Sequence, residues 1–153
     1  MAAPGPWVLY NDFLFNEGKK LIDLSSDTFK IALFTSASSA INRAVVGAGY
    51  TAFAADGNEV SNANGYSTGG VTVTATWVGG GATATSTFNT TDPSWTASGA
   101  GITARAAVVY SDTSSGKLAI AYCLLDATPA DVTVAAGNTL TISVANIFVE
   151  SQT

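Results

Sequence analysis

The sequence contains no histidine and only one cysteine among its 153 residues. Without histidine, the commonest general base, the commonest zinc ligand and the usual activator of serine or cysteine nucleophiles are missing. A lone Cys123 forms neither an internal disulfide nor a metal-binding cysteine cluster. Its apolar setting, Ala-Ile-Ala-Tyr-Cys-Leu-Leu, predicts a buried, inert thiol. Ions are scarce as well. Charged residues make up 11% of the chain, six Lys plus Arg against eleven Asp plus Glu; ordinary globular chains carry about 25%. The net charge of −5 argues against nucleic acid as a partner, because phosphate-binding surfaces concentrate Lys and Arg. Lys19, Lys20 and Lys30, the one local basic excess, suit a helix end better than a phosphate backbone.

No run is apolar enough to span a membrane: the long uncharged stretch from Val60 to Thr91 is full of Gly, Asn, Ser and Thr. The opening MAAPGPWVLY has two prolines where a signal sequence needs an apolar core, so export by the general pathway is not expected.

What the chain does have is small residues. Ala, Gly, Ser and Thr supply 76 of the 153 positions, which makes a flat, weakly hydrated surface. Such a surface suits a protein packed against neighbours, and equally a Thr-rich sheet exterior. One domain is expected at this length, with about 70% of the unfolded surface buried.

Residues 1–9 read as an extended, Pro-rich arm that delivers Trp7 to its own domain or to a neighbour; residues 10–153 read as one folded domain. Asn11 as N-cap, Asp12 in the first turn, Phe13 and Leu14 at helical spacing and a stop at Gly18 to Lys20 predict one short helix. From Asp27 the period falls to two, and Phe29, Ile31 and Leu33 mark a strand. Residues 47–70 predict a long loop with one short strand around residues 50–54. A hairpin of 71–77 with 82–88 turns at Gly79, Gly80 and Gly81. A second, of 102–110 with 117–125, is apolar almost throughout and is therefore central and buried on both faces. A last strand over 139–149 turns Leu140, Ile142, Val144 and Ile147 inward. Seven or eight short strands and one helix predict an all-β fold, a single antiparallel β-sandwich of Greek-key or jelly-roll kind.

Few constellations bear on chemistry. Asp56, Gly57, Asn58 and Glu59 crowd oxygens together but lack the twelve-residue spacing of a calcium loop, so an Asx turn is expected. Asp23 and Asp27 have the composition of a glycosidase carboxylate pair, yet they flank a turn with Ser25 and Ser26, where capping is the ordinary job. Ser114 and Lys117 match S-x-x-K without the helix that motif needs. No catalytic residue, metal or cofactor is assigned, and no enzymatic activity is expected. The aromatics are the remaining candidates: Trp77 and Trp95 are expected in the core or at corners, and Trp7, Tyr10, Tyr50, Phe53 and Tyr66 are candidate interface residues.

With the segments laid out, DLSSDTFKIALFTS (23–36), NEVSNANGYSTGGVTVT (58–74), SWTASGAGITARAAVVYSDT (94–113) and LAIAYCLLD (118–126) together resemble a group of small all-β proteins encoded among the virion structural genes of tailed bacteriophages. The resemblance runs over about residues 10–149 and rests on the order and spacing of these segments. It implies a non-enzymatic virion protein assembled in the host bacterial cytoplasm. Within the virion, the expected role is a capsid cement or decoration protein. Its partners would be the major capsid protein and neighbouring copies of itself, in a homo-oligomer or lattice. The alternative is a tail or fibre-tip module that binds receptor glycans.

Overall fold

The computed structural model describes residues 4–151, and every strand pairing in it is antiparallel. In chain order the elements are β1 (Val8–Leu9), α1 (Asn11–Gly18), β2 (Phe29–Phe34), a 3-10 turn (Ser39–Ile41), α2 (Tyr50–Ala55), β3 (Val71–Val73), β4 (Ala75–Gly79) and β5 (Thr85–Thr90). There follow β6 (Ser94–Thr96), β7 (Ile102–Ala104), β8 (Ala106–Ser111), β9 (Ala119–Leu124), β10 (Val132–Val134), β11 (Thr139–Thr141) and β12 (Phe148–Ser151).

The described strands form four sheets: a five-stranded one in the order β1-β9-β8-β2-β3, a three-stranded one in the order β12-β5-β4, and the ribbons β10-β7 and β11-β6. The all-β expectation holds at that level, while the strands divide more finely than the two sheets expected.

The five-stranded sheet sets the design. Its middle strands, β2, β8 and β9, are apolar at consecutive positions, so each face needs its own cover. Ile31, Leu33, Ala107, Val109, Ala121 and Cys123 contribute to one buried cluster, and Ala32, Phe34, Val108 and Tyr110 to another. On the first side, Phe29 of β2 meets Phe88 of β5 edge-on, ring centroids 5.1 Å apart. Phe88 lies in register with Trp77 of β4 and Phe148 of β12, so the three-stranded sheet brings an aromatic row to the core. Helix α1 adds Phe13, 5.1 Å from Phe148. On the second side, Phe53 and Tyr50 of α2 and Ala40 of the 3-10 turn close over Phe34, Val108 and Tyr110.

Of the two placements open for the N-terminal arm, the structure has it on its own domain: Gly5 N–H donates to Leu124 O at 2.8 Å, and β1 pairs with β9, Val8 opposite Tyr122. Met1 to Ala3 lie outside the described residues. Three other expectations from the sequence are corrected. The strand expected near residues 50–54 is helix α2, because Tyr50 and Phe53, three apart, both turn toward Phe34 while Thr51 stays in solvent. The strand expected at 71–77 is two strands that change sheets at Thr74, β3 pairing with β2 and β4 with β5. The strand expected at 139–149 is likewise split into β11 and β12, although Leu140, Ile142, Val144 and Ile147 are all buried. The turn before β3 depends on Gly70, at φ +72°, where a Cβ would collide with the carbonyl oxygen of Ile31.

Phe88 bridges the two largest sheets. Phe88→Ala should cost about 3–5 kcal/mol in urea denaturation, since its ring is fully enclosed and its neighbours are held by separate strands.

Candidate interaction surface

Four of the five aromatics expected at an interface are inside the protein. Tyr10, Tyr50, Phe53 and Tyr66 are buried, and Trp7 is half-buried against the main core. Tyr10 donates its hydroxyl proton to Ala40 O and packs 5.4 Å from Phe53. Tyr50 stacks on Tyr110 at 4.5 Å with 13° between the planes. Tyr10, Tyr50 and Phe53 belong to the layer that covers the second face of the five-stranded sheet, and Tyr66 and Trp7 pack in the core on its first face.

That layer is tied down by one carboxylate. Glu59 Oε2 accepts from the Tyr50 hydroxyl at 2.8 Å, and Oε1 accepts from the Tyr66 hydroxyl and from Gly69 N–H, both at 2.7 Å. The network extends at both ends: Leu33 N–H donates to the Tyr66 oxygen at 3.0 Å, and the Tyr110 hydroxyl donates to Gly69 O at 2.8 Å. Burial first, and the neighbouring Glu59 next, push the Tyr50 and Tyr66 hydroxyls far above the ordinary phenol range, so both stay protonated donors. Glu59 thus organises residues 59–69, part of the stretch 47–70 expected as a long loop, from within the chain.

The other carboxylates are occupied too. Asp56 accepts from Ser39 N–H (2.9 Å), Ser39 Oγ (2.8 Å), Ser38 Oγ (3.2 Å) and Asn58 N–H (2.9 Å). Burial works against its charge, yet these donors outweigh it and hold the carboxyl below the usual range. Asp23 accepts from Ser25 N–H and Oγ, which lower it to about 2. Asp27 accepts from the Ser111 hydroxyl at 2.7 Å and from Asp23 N–H. The hydrogen bonds of Asp23, to Ser25 two residues on, are those of a turn anchor. Lys117 Nζ reaches Asp112 at 2.6 Å instead of Ser114, and Lys30 reaches the same carboxylate at 3.0 Å. Cys123 is enclosed, its thiol pushed up to about 12 by burial.

Other large apolar side chains do face solvent. Helix α1 buries Phe13 and leaves Leu14 61% and Phe15 62% exposed, with Leu21 half-exposed just beyond the helix. The signal is in Phe13-Leu14-Phe15: three successive apolar residues span about 200° of a helix, more than one core-facing stripe can take. The carboxyl of Glu17, on the same helix, is raised first by burial and then by the nearby Glu150. Beside the helix, a cleft of about 290 Å³ is lined by Glu17, Lys20, Ile22, Asp23, Ser25 and Trp77. Among the described residues no group of three or more His, Cys, Asp or Glu converges as a metal site.

Glu59→Ala leaves two buried phenols and the Gly69 N–H without their acceptor. It should cost about 2–4 kcal/mol and speed amide exchange selectively over residues 59–70. A pH series gives a separate check. The Lys117 hydrogen bond, with Lys30, holds Asp112 below the ordinary carboxylate range. A lowered folded-state value means stabilisation that is full above about pH 4 and lost as pH falls through the folded value. Asp112→Asn should therefore lower stability at pH 7 and flatten its decline on the acid side. Comparison of the chain with family models, curated proteins and solved structures gives no match.

Proposed function

We propose that this chain is a structural protein of a tailed-bacteriophage virion, a capsid cement protein that binds the outer shell in many copies and contacts it through helix α1. The observation that carries the reading is the exposed pair Leu14 and Phe15, with Leu21 beside them, on a chain with very few surface ions. Large apolar side chains held out on a helix are unfavourable in water, and burying them against a partner lowers the free energy by about 1.5–3 kcal/mol for each one fully buried. The resemblance over residues 10–149 supplies the class of partner, the major capsid protein. We further read the three-stranded sheet facing the five-stranded sheet across Phe29 and Phe88 as one β-sandwich, with the two ribbons as its extensions. A small footprint suffices for such a role, because repeated sites on a symmetric shell add avidity.

A second reading has one observation of its own. Trp77 lines a cleft with Glu17, Lys20, Asp23 and Ser25, a flat ring edged by polar groups of the kind that holds a sugar. That arrangement favours a glycan-binding module at a tail or fibre tip, with Trp77 in place of the buried Tyr50 and Tyr66.

The deciding measurement is co-sedimentation with shells of the major capsid protein from the same genome. The wild type should saturate in proportion to capsid subunits, and Leu14→Glu with Phe15→Glu should lower occupancy at least about tenfold while circular dichroism stays native. Absence of binding to shells, together with glycan binding abolished by Trp77→Ala, would replace the cement reading with the tail reading.

A further inference from the structure

Sheet edges invite pairing, and native proteins blunt them with short strands, prolines or charges. Almost every edge here is treated in that way. β1 is two residues long behind Pro4 and Pro6, and β12 carries Glu150. β3 has only three residues, β7 and β10 run into the Arg105–Asp131 ion pair, and β6 and β11 are three residues each, with Asp92 and Pro93 just before β6.

β4 is the exception. Ala75-Thr76-Trp77-Val78-Gly79 is five residues long and contains neither proline nor charge, and its partner is β5 on one side. Among the described residues, no backbone hydrogen bond from outside the sheet ends on residues 75–79. Its outer side therefore presents unpaired N–H and C=O groups to solvent. Val78 is 63% exposed and lies in register with Thr87 of β5, which in turn faces the exposed Val149 of β12, so this row beside the edge is uncharged and partly apolar.

We propose that the free edge of β4 pairs antiparallel with β4 of a second copy of this chain, joining two three-stranded sheets into one of six. Charge selects the occupant. Each copy carries −5, so two copies repel over most of their surfaces, but the run from Val60 to Thr91, which holds β3, β4 and β5, has no ionised side chain. The ions that share the cleft with Trp77, which are Glu17, Lys20 and Asp23, include both signs. The register follows from geometry. Full overlap of five residues, with side chains kept on matching faces, puts Trp77 opposite Trp77 on the two-fold axis, and Thr76 of one copy opposite Val78 of the other. Five residues of edge bury far less than the roughly 800 Å² per partner of a stable complex, so the contact is weak in solution and gains strength where copies are already held side by side. It deepens the lattice reading by naming the self-contact, and it is testable with no shell present.

Sedimentation equilibrium on the intact chain from about 10 μM to about 1 mM should show the mass rising from 15.5 kDa toward twice that value. T76K/V78K sets like charges opposite each other across the axis and should hold the mass at the monomer value throughout. T76E/V78K sets a carboxylate opposite an ammonium of the other copy and should restore the concentration dependence. In the wild type, amide exchange in β4 should slow with concentration while exchange in β3 does not change; this readout decides the matter even if a variant fails to fold. A wild type that stays monomeric at about 1 mM, or a folded T76E/V78K that behaves like T76K/V78K, overturns the pairing. A chain that stays monomeric yet still co-sediments with shells removes the pairing and leaves the cement reading in place.

Discussion

The double burial of the five-stranded sheet is the constraint from which most of the molecule follows. A sheet with apolar side chains on both faces is stable only between two layers, and this chain has 153 residues with which to build all three. One layer is more sheet, brought in through Phe88 and Phe148. The other is assembled from α2, a 3-10 turn and connecting segments, which have no ladder of their own to hold them flat. The demand for aromatics in that irregular layer explains why Tyr10, Tyr50 and Phe53 point inward.

An irregular layer needs polar anchors, and here they come from few carboxylates, each used several times. Glu59 receives three donors and Asp56 four. Asp12 reaches from α1 to Gly47 N–H at 2.7 Å and so pins the segment that enters α2. These carboxylates are partly or fully exposed, so each anchors a loop from the surface inward. With only 11% of the chain charged, much of the remaining surface is small and uncharged, the kind that tolerates close approach by other proteins.

Much of this was legible in the residues, and the exceptions have physical causes. β8 and β9 announce themselves by almost continuous apolar runs, β2 by the alternation of Phe29, Ile31 and Leu33, and the inward set of Leu140, Ile142, Val144 and Ile147 by spacing. The transfer of the chain from one sheet to another at Thr74 leaves no trace, since alternation continues unchanged when a strand exchanges partners. Helix α2 is short and framed by Gly49 and Gly57, so turn chemistry masks its three-residue aromatic spacing. Tyr66 looked available because a phenol is equally at home in water or against a buried acceptor, and its acceptor Glu59 comes from a stretch rich in Asn and Gly. The exposed pair on α1 was visible in principle, through the excess of apolar residues over one helical stripe.

The pairing of β1 with β9 also governs how the protein is made. Residue 8 finds its strand partner only at residue 122, and β2, which meets β3 on one edge at residues 71–73, meets its central neighbour β8 only from residue 106 onward. At ribosomal speeds of about 5–20 residues per second, the Phe29–Phe34 segment waits on the order of 4–15 s before that central neighbour exists. Through that interval the central edge of an apolar strand has no partner, so the five-stranded sheet closes only after the second half of the chain is made.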